Sequence, residues 1–213
     1  MLRFTLLGYP VRVDWTFWLV SALLSGALSM AGRDMFVYLA AWVGVVFVSI
    51  LWHELGHAQA FRKFGGHAEI QLYSMGGLCS SSGRYTREQH MWISAAGPGA
   101  SICLFAVALI LAWFTPIGRN SEIGRIVIQD LLWVNGFWTL INLLPVLPLD
   151  GGQIFGAFMS NKKPGIVPIV GAATAGLIAI LAVIAGMFYL GIFFGYLAYT
   201  NWQRSQGKHG GFW

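Results

Sequence analysis

Two histidines and a glutamate stand in the run Leu51-Trp52-His53-Glu54-Leu55-Gly56-His57. On a helix, residues four apart share a face. Both imidazoles can therefore reach one tetrahedral Zn2+, and Glu54 sits beside them as a base for water that the metal activates. The plainer alternative is that the three side chains merely pair within a helix bundle. Depth weakens it. Arg62 marks a polar end nine residues after His53, about 14 Å away at helical rise, and ionisable groups that far inside an apolar segment are costly and mostly functional.

A hydrolytic zinc site needs a third protein ligand and an open position. The best candidate is Asp150, in Asn142-Leu143-Leu144-Pro145-Val146-Leu147-Pro148-Leu149-Asp150-Gly151-Gly152. Pro145 and Pro148 must unwind a helix there, and the two glycines allow close backbone approach. Asp150 also reads, with Gln153, as a capping pair for a short helix. Asn142 has two readings as well: it bonds carbonyls freed by the prolines, or it holds a substrate carbonyl or oxyanion. His67, His90 and His209 read as solvated, and Cys79 and Cys103 as free thiols. Gly97, Gly99, Ala100 and Ser101 read as small residues that let helices pack closely.

These groups must be positioned by apolar elements. Of the 213 residues 57% are apolar and 10% charged, with 15 Phe, 10 Trp and 7 Tyr. A soluble domain holds about 25% charged residues, so the chain lacks the polar surface for a water-facing globule. Its formal charge of +5 comes from scattered cations rather than a dense basic face, which excludes a nucleic-acid partner. The class is an all-α integral membrane protein, a single transmembrane domain over residues 1–213. Bilayer-length apolar stretches predict about six spans, at about 15–31, 35–61, 91–114, 131–147, 165–185 and 187–203, the last two divided near Gly186. Arg3, Arg12, Arg62, Lys63, Arg84, Arg87, Lys162, Lys163, Arg204 and Lys208 then fall on one side and Arg33, Arg119 and Arg125 on the other. That bias puts the first set, and both termini, in the cytoplasm. Trp15, Trp18, Trp92 and Trp202 read as an interfacial belt. Between the second and third spans, residues 66–82 alternate polar and apolar around Ser74-Met75-Gly76-Gly77, which predicts a small membrane-associated β-hairpin.

The HExxH run at the end of one span and the Asn142–Pro145–Pro148–Leu149-Asp150-Gly151 segment at the end of a later one resemble the site-2 protease family of intramembrane zinc metalloproteases. Ala95-Ala96-Gly97-Pro98 resembles that family's Gly-Pro element. The motifs cover roughly residues 45–155. The resemblance implies that His53, His57 and Asp150 bind Zn2+, that Glu54 is the base and that Asn142 positions substrate. It also implies that the hairpin, with Gly76 and Gly77 at its turn, pairs with unwound substrate by strand addition. Substrates would be single-span membrane proteins, often already trimmed by another protease, met in the plasma membrane. A PDZ-like insertion and a nucleotide-sensing domain, found in some relatives, are not expected within these residues. The rival use of His53, His57 and Asp150 is transit of a metal ion through a membrane carrier. Ligands gathered at one depth, one visibly broken helix and a glutamate between the histidines suit hydrolysis better.

Overall fold

The computed structural model describes residues 1–27 and 32–207. Lys208 and His209, and the end of the first expected span at 28–31, lie outside the described residues. The rest divides into two compact units, residues 1–84 with 96–139, and residues 85–95 with 140–213.

The first unit opens with β1 (Leu2–Leu6) and β2 (Tyr9–Val13), continues through α1 (Trp15–Leu24) and α2 (Arg33–Lys63), and returns to β3 (Ala68–Tyr73) and β4 (Gly76–Ser81). The strands form one sheet in the order β1-β2-β3-β4. The expected hairpin is therefore half of a larger sheet. β1 and β2 pair antiparallel, β2 and β3 parallel, β3 and β4 antiparallel. A parallel pair needs a long crossover, and here α1 and α2 supply it. Side chains alternate across the pleat, so Val11 and Val13 of β2 and Ile70 and Leu72 of β3 all turn inward, each at most 1% exposed. They pack with Phe17, Leu51, Leu55 and Ala58. Trp18, expected in an interfacial belt, instead stacks on Phe47, centroids 5.3 Å apart; Trp15 is exposed.

α2 runs for 31 residues, about 46 Å at helical rise. Gly65 ends it in a left-handed conformation, φ 83°. Its N–H donates to Arg62 O, and that of Gly66 to Phe61 O. This is a Schellman motif, with Arg62 and Lys63 favourably placed in the last turn. α3 (Arg87–Phe114) carries Pro98 inside it. α4 (Ile117–Asn120) is a single turn, and α5 (Glu122–Asn142) follows. The boundary between the units falls within α3 and within α5.

In the second unit, residues 143–149 leave α5 and lead into α6 (Asp150–Met159), α7 (Ile166–Ile184) and α8 (Phe188–Ser205). The chain turns between α7 and α8 at Gly186, φ 76°, where the division was expected. Val146, Ala175, Phe194 and Leu197 form this unit's buried cluster.

Three helices are long and apolar enough to cross a bilayer: Asp34–Lys63, Arg87–Phe114 and Ile166–Ile184. The other expected spans fall short by those two measures. The described helix of the first has 10 residues. α5 begins earlier than expected and takes in Glu122, Arg125 and Asp130, and it stops at Asn142 ahead of the prolines rather than at 147. α8 ends in the polar run Thr200, Asn201, Gln203 and Arg204.

Candidate metal centre

α2 presents His53, Glu54 and His57, and all three are buried, at 2%, 5% and 7% exposure. The helical repeat turns both imidazoles the same way. Their Nε2 atoms stand 3.2 Å apart, with ring centroids at 4.9 Å and planes at 76°. Two zinc–nitrogen bonds of tetrahedral geometry separate their nitrogens by about 3.3 Å. The imidazole pair therefore fits a shared zinc ion.

The other ring nitrogen of His53, Nδ1, lies 3.0 Å from Ser101 Oγ on α3. With Nδ1–H donating to Ser101, the lone pair of Nε2 is left for a metal, the usual division of labour in a metal-bound histidine. Ser101 is 1% exposed. Its sequence context suggested only a small residue for close packing; nothing local to Ser101 signals that it faces a ring 48 positions away.

α3 approaches α2 closely at two glycines. A Cβ on Gly56 would lie 2.5 Å from Ala96 O and 2.9 Å from Ala100 Cβ. Trp52 Nε1–H donates to Ala100 O at 3.0 Å. A Cβ on Gly97 would press on His57 Nε2 and stand 2.7 Å from His53 Nε2. Gly97 thus keeps open the space in front of both donor atoms, which is more than the packing role expected of it. Gly99, grouped with it in that expectation, has nothing within 4 Å of a Cβ.

β4 closes over the glutamate. A Cβ on Gly77 would strike Glu54 Oε1, and one on Gly76, whose φ is 119°, would lie 2.7 Å from Trp138 Cζ2. Only glycine lets this strand lie so near the carboxylate. Burial pushes the Cys79 thiol on β4 upward, and the Glu54 carboxylate adds to the shift. Cys79 therefore stays protonated and is no nucleophile at neutral pH. It and Cys103 are free, as expected. His67 is exposed, and His90 stacks edge-on to Tyr85, centroids 5.6 Å apart.

In the second unit, Asp150 is the first residue of α6 and 6% exposed. The capping reading does not hold, because the N-cap is Leu149 and no side chain caps it. Gln153 instead donates Nε2–H to Pro148 O at 3.0 Å. Gly151 and Gly152 fit against the Leu143 and Val146 main chain, where a Cβ would strike backbone. Asn142 is the last residue of α5, just ahead of the break, and is buried. His53, His57 and Asp150 offer one ligand atom each, and they are the set of described residues that could hold a metal ion. Two imidazoles and a carboxylate are the donor types of a hydrolytic zinc site.

The chain's backbone is similar to the solved site-2 protease from Methanocaldococcus jannaschii, with a TM-score of 0.67 and 27% sequence identity over 96% of this chain and 94% of that one. A zinc metalloprotease of the same organism is 32% identical over 160 residues, 75% of this chain and 45% of the relative. The chain belongs to the site-2 protease family. Rip3 of Mycobacterium tuberculosis, also similar to it, is 32% identical over 192 residues, 84% of this chain and 48% of its own length. This site-2 protease family member thus spans about half the length of the curated relatives it matches. No family model matches the sequence.

Proposed function

We propose that this chain is an intramembrane zinc metalloprotease that hydrolyses peptide bonds in or near transmembrane segments of single-span membrane proteins, often after another protease has trimmed them. The observation that carries the reading is the pair of buried imidazole nitrogens 3.2 Å apart with Glu54 between their residues in sequence. The relatives' names support it. His53 and His57 are the nitrogen ligands, and Asp150 supplies the oxygen. Zinc, when bound, supplies the Lewis acidity that polarises a scissile carbonyl and acidifies water.

The chain's own groups do the rest. Glu54 takes the proton of the attacking water and returns it to the departing amine. Ser101 holds the His53 ring in one tautomer. Asn142 donates its amide N–H to the substrate carbonyl. A helical substrate hides its carbonyls in its own hydrogen bonds and must open first. β4 is an edge strand, and its Gly76 and Gly77, with Gly77 against Glu54, are the place for an opened segment to pair. Six spans, both termini in the cytoplasm and a plasma-membrane location complete the reading, supported by the distribution of the cations along the sequence.

The test is cleavage of a reconstituted single-span substrate by the purified chain, with and without a chelator. E54Q should keep its zinc and lose about 10²–10⁴-fold in kcat. Cleavage by E54Q at the original rate would falsify the assignment of the base. Metal flux through the same vesicles, without cleavage, would favour the carrier.

A further inference from the structure

We propose that Asn201, near the end of α8, is a positioning residue for Asp150: it locks the segment that leads into the carboxylate. The inference rests on Asp150 being a zinc ligand and goes beyond it to what aims that ligand.

Asn201 is 0% exposed, on a helix whose inner face is otherwise built by Phe194 and Leu197. A leucine would satisfy that environment, and burying an amide there costs free energy unless its groups are bonded. Both amide hydrogens are used. Nδ2 donates to Leu147 O at 2.7 Å and to Leu197 O, one turn back on α8, at 2.8 Å. Because both partners are carbonyls, the nitrogen must face them, and the orientation of the amide is settled by chemistry. Its Oδ1 has no hydrogen-bond partner. Gly171 on α7 closes the far side, since a Cβ there would lie 2.5 Å from Oδ1. The side chain is thus held by α8 and hemmed in by α7, and its reach is spent on one carbonyl 54 residues away in sequence.

That carbonyl is the important one. Residues 143–149 lie outside any helix, so their orientation is not set by a repeating ladder. Pro145 and Pro148 contribute no N–H. Local bonds tie the segment to itself: Val146 N–H donates to Leu144 O at 2.7 Å and Leu149 N–H to Val146 O at 2.8 Å. Such bonds shape the loop but do not anchor it. The Asn201 bond anchors it to α8, immediately ahead of Pro148-Leu149-Asp150. Val146, itself 0% exposed, packs against Phe194 and Leu197 beside it. A half-satisfied buried amide kept at such a place is doing a positional task, because the stability of α7 against α8 does not need it.

The full chain in detergent carries the test. Zn2+ affinity is measured by competition with a chelator, and the ligand field is read from the visible bands of Co2+-substituted protein. N201L should weaken Zn2+ about 10–100-fold and change the cobalt bands, with helical content and elution volume retained. Unchanged affinity and bands in N201L overturn the proposal, whatever happens to its melting temperature. Should N201L fail to fold, G171A takes its place, because it pushes on the amide without removing it: altered cobalt bands support the proposal and unaltered bands overturn it. D150A is measured alongside. If D150A keeps its zinc, the ligand assignment is wrong and the inference falls with it. If D150A loses zinc while N201L does not, the inference alone is wrong.

Discussion

The helix that carries His53 and His57 and the segment that carries Asp150 aim donor atoms by opposite means. In α2 the helical repeat itself stacks the two imidazoles, and neighbours refine what the helix has already set: Ser101 chooses a tautomer, and Gly97 stays out of the way. Around Asp150 nothing repeats. Prolines have interrupted the ladder, glycines let backbone press on backbone, and the loop is tied to a helix far along the chain. A ligand carried by a regular element inherits its direction from local geometry. A ligand carried by a loop must borrow its direction from residues distant in sequence.

Removing the ligands sets the scale for that contrast. H57A and D150A should each weaken Zn2+ about 10²–10³-fold, since a structural zinc site draws about 10–16 kcal/mol from four ligands. Chelator competition measures both. An H57A protein that binds zinc as tightly as the original would remove α2 from the site.

Glycine substitutions then probe how each region keeps its space. In G97A the new methyl falls on the imidazole nitrogens, so zinc affinity should drop while the melting temperature moves little, because the crowded atoms are side-chain ones. In G151A the methyl falls on main chain, so stability should fall by about 1–3 kcal/mol. Denaturant melts paired with zinc titration separate the two. If G97A costs stability and leaves zinc alone, the open space before the histidines has been misread.

The smallest expected effect is at Ser101. S101A should weaken Zn2+ by about tenfold, at the low end for a partner of a ligating histidine, because α2 still orients the ring without it. A loss as large as that of H57A would show that the helix does less of the aiming than its geometry suggests.

The same division explains how far the chain was legible before its structure. The HExxH spacing carried its own meaning, because a helix turns residues four apart onto one face wherever it lies. The turn at Gly186 and the β3–β4 hairpin were readable for a similar reason, each being local. The N-terminal strands β1 and β2 were not, since β2 pairs in parallel with β3 across the whole of α1 and α2, and pairing at that range leaves no local mark. Trp18 was misread because stacking on Phe47 depends on how α1 packs on α2. Ser101 and Gly97 looked like packing residues, which any small residue on an apolar helix does. The fourth span was placed too late because its apolar run was followed through the prolines, whereas the backbone leaves the helix as soon as Asn142 ends it.

The sequence by itself determined the donor types, their helical spacing on α2, the break that delivers Asp150 and the apolar stretches that carry them. Those are matters of composition and short-range geometry, which the chain holds whatever it packs against. Tertiary structure alone decided which nitrogen of His53 is free, which glycine clears the space before the two rings, which strand lies on Glu54 and which amide ties down the Asp150 segment. Each of those is a contact between residues far apart in sequence, and such contacts exist only once packing has paid the entropy of bringing them together.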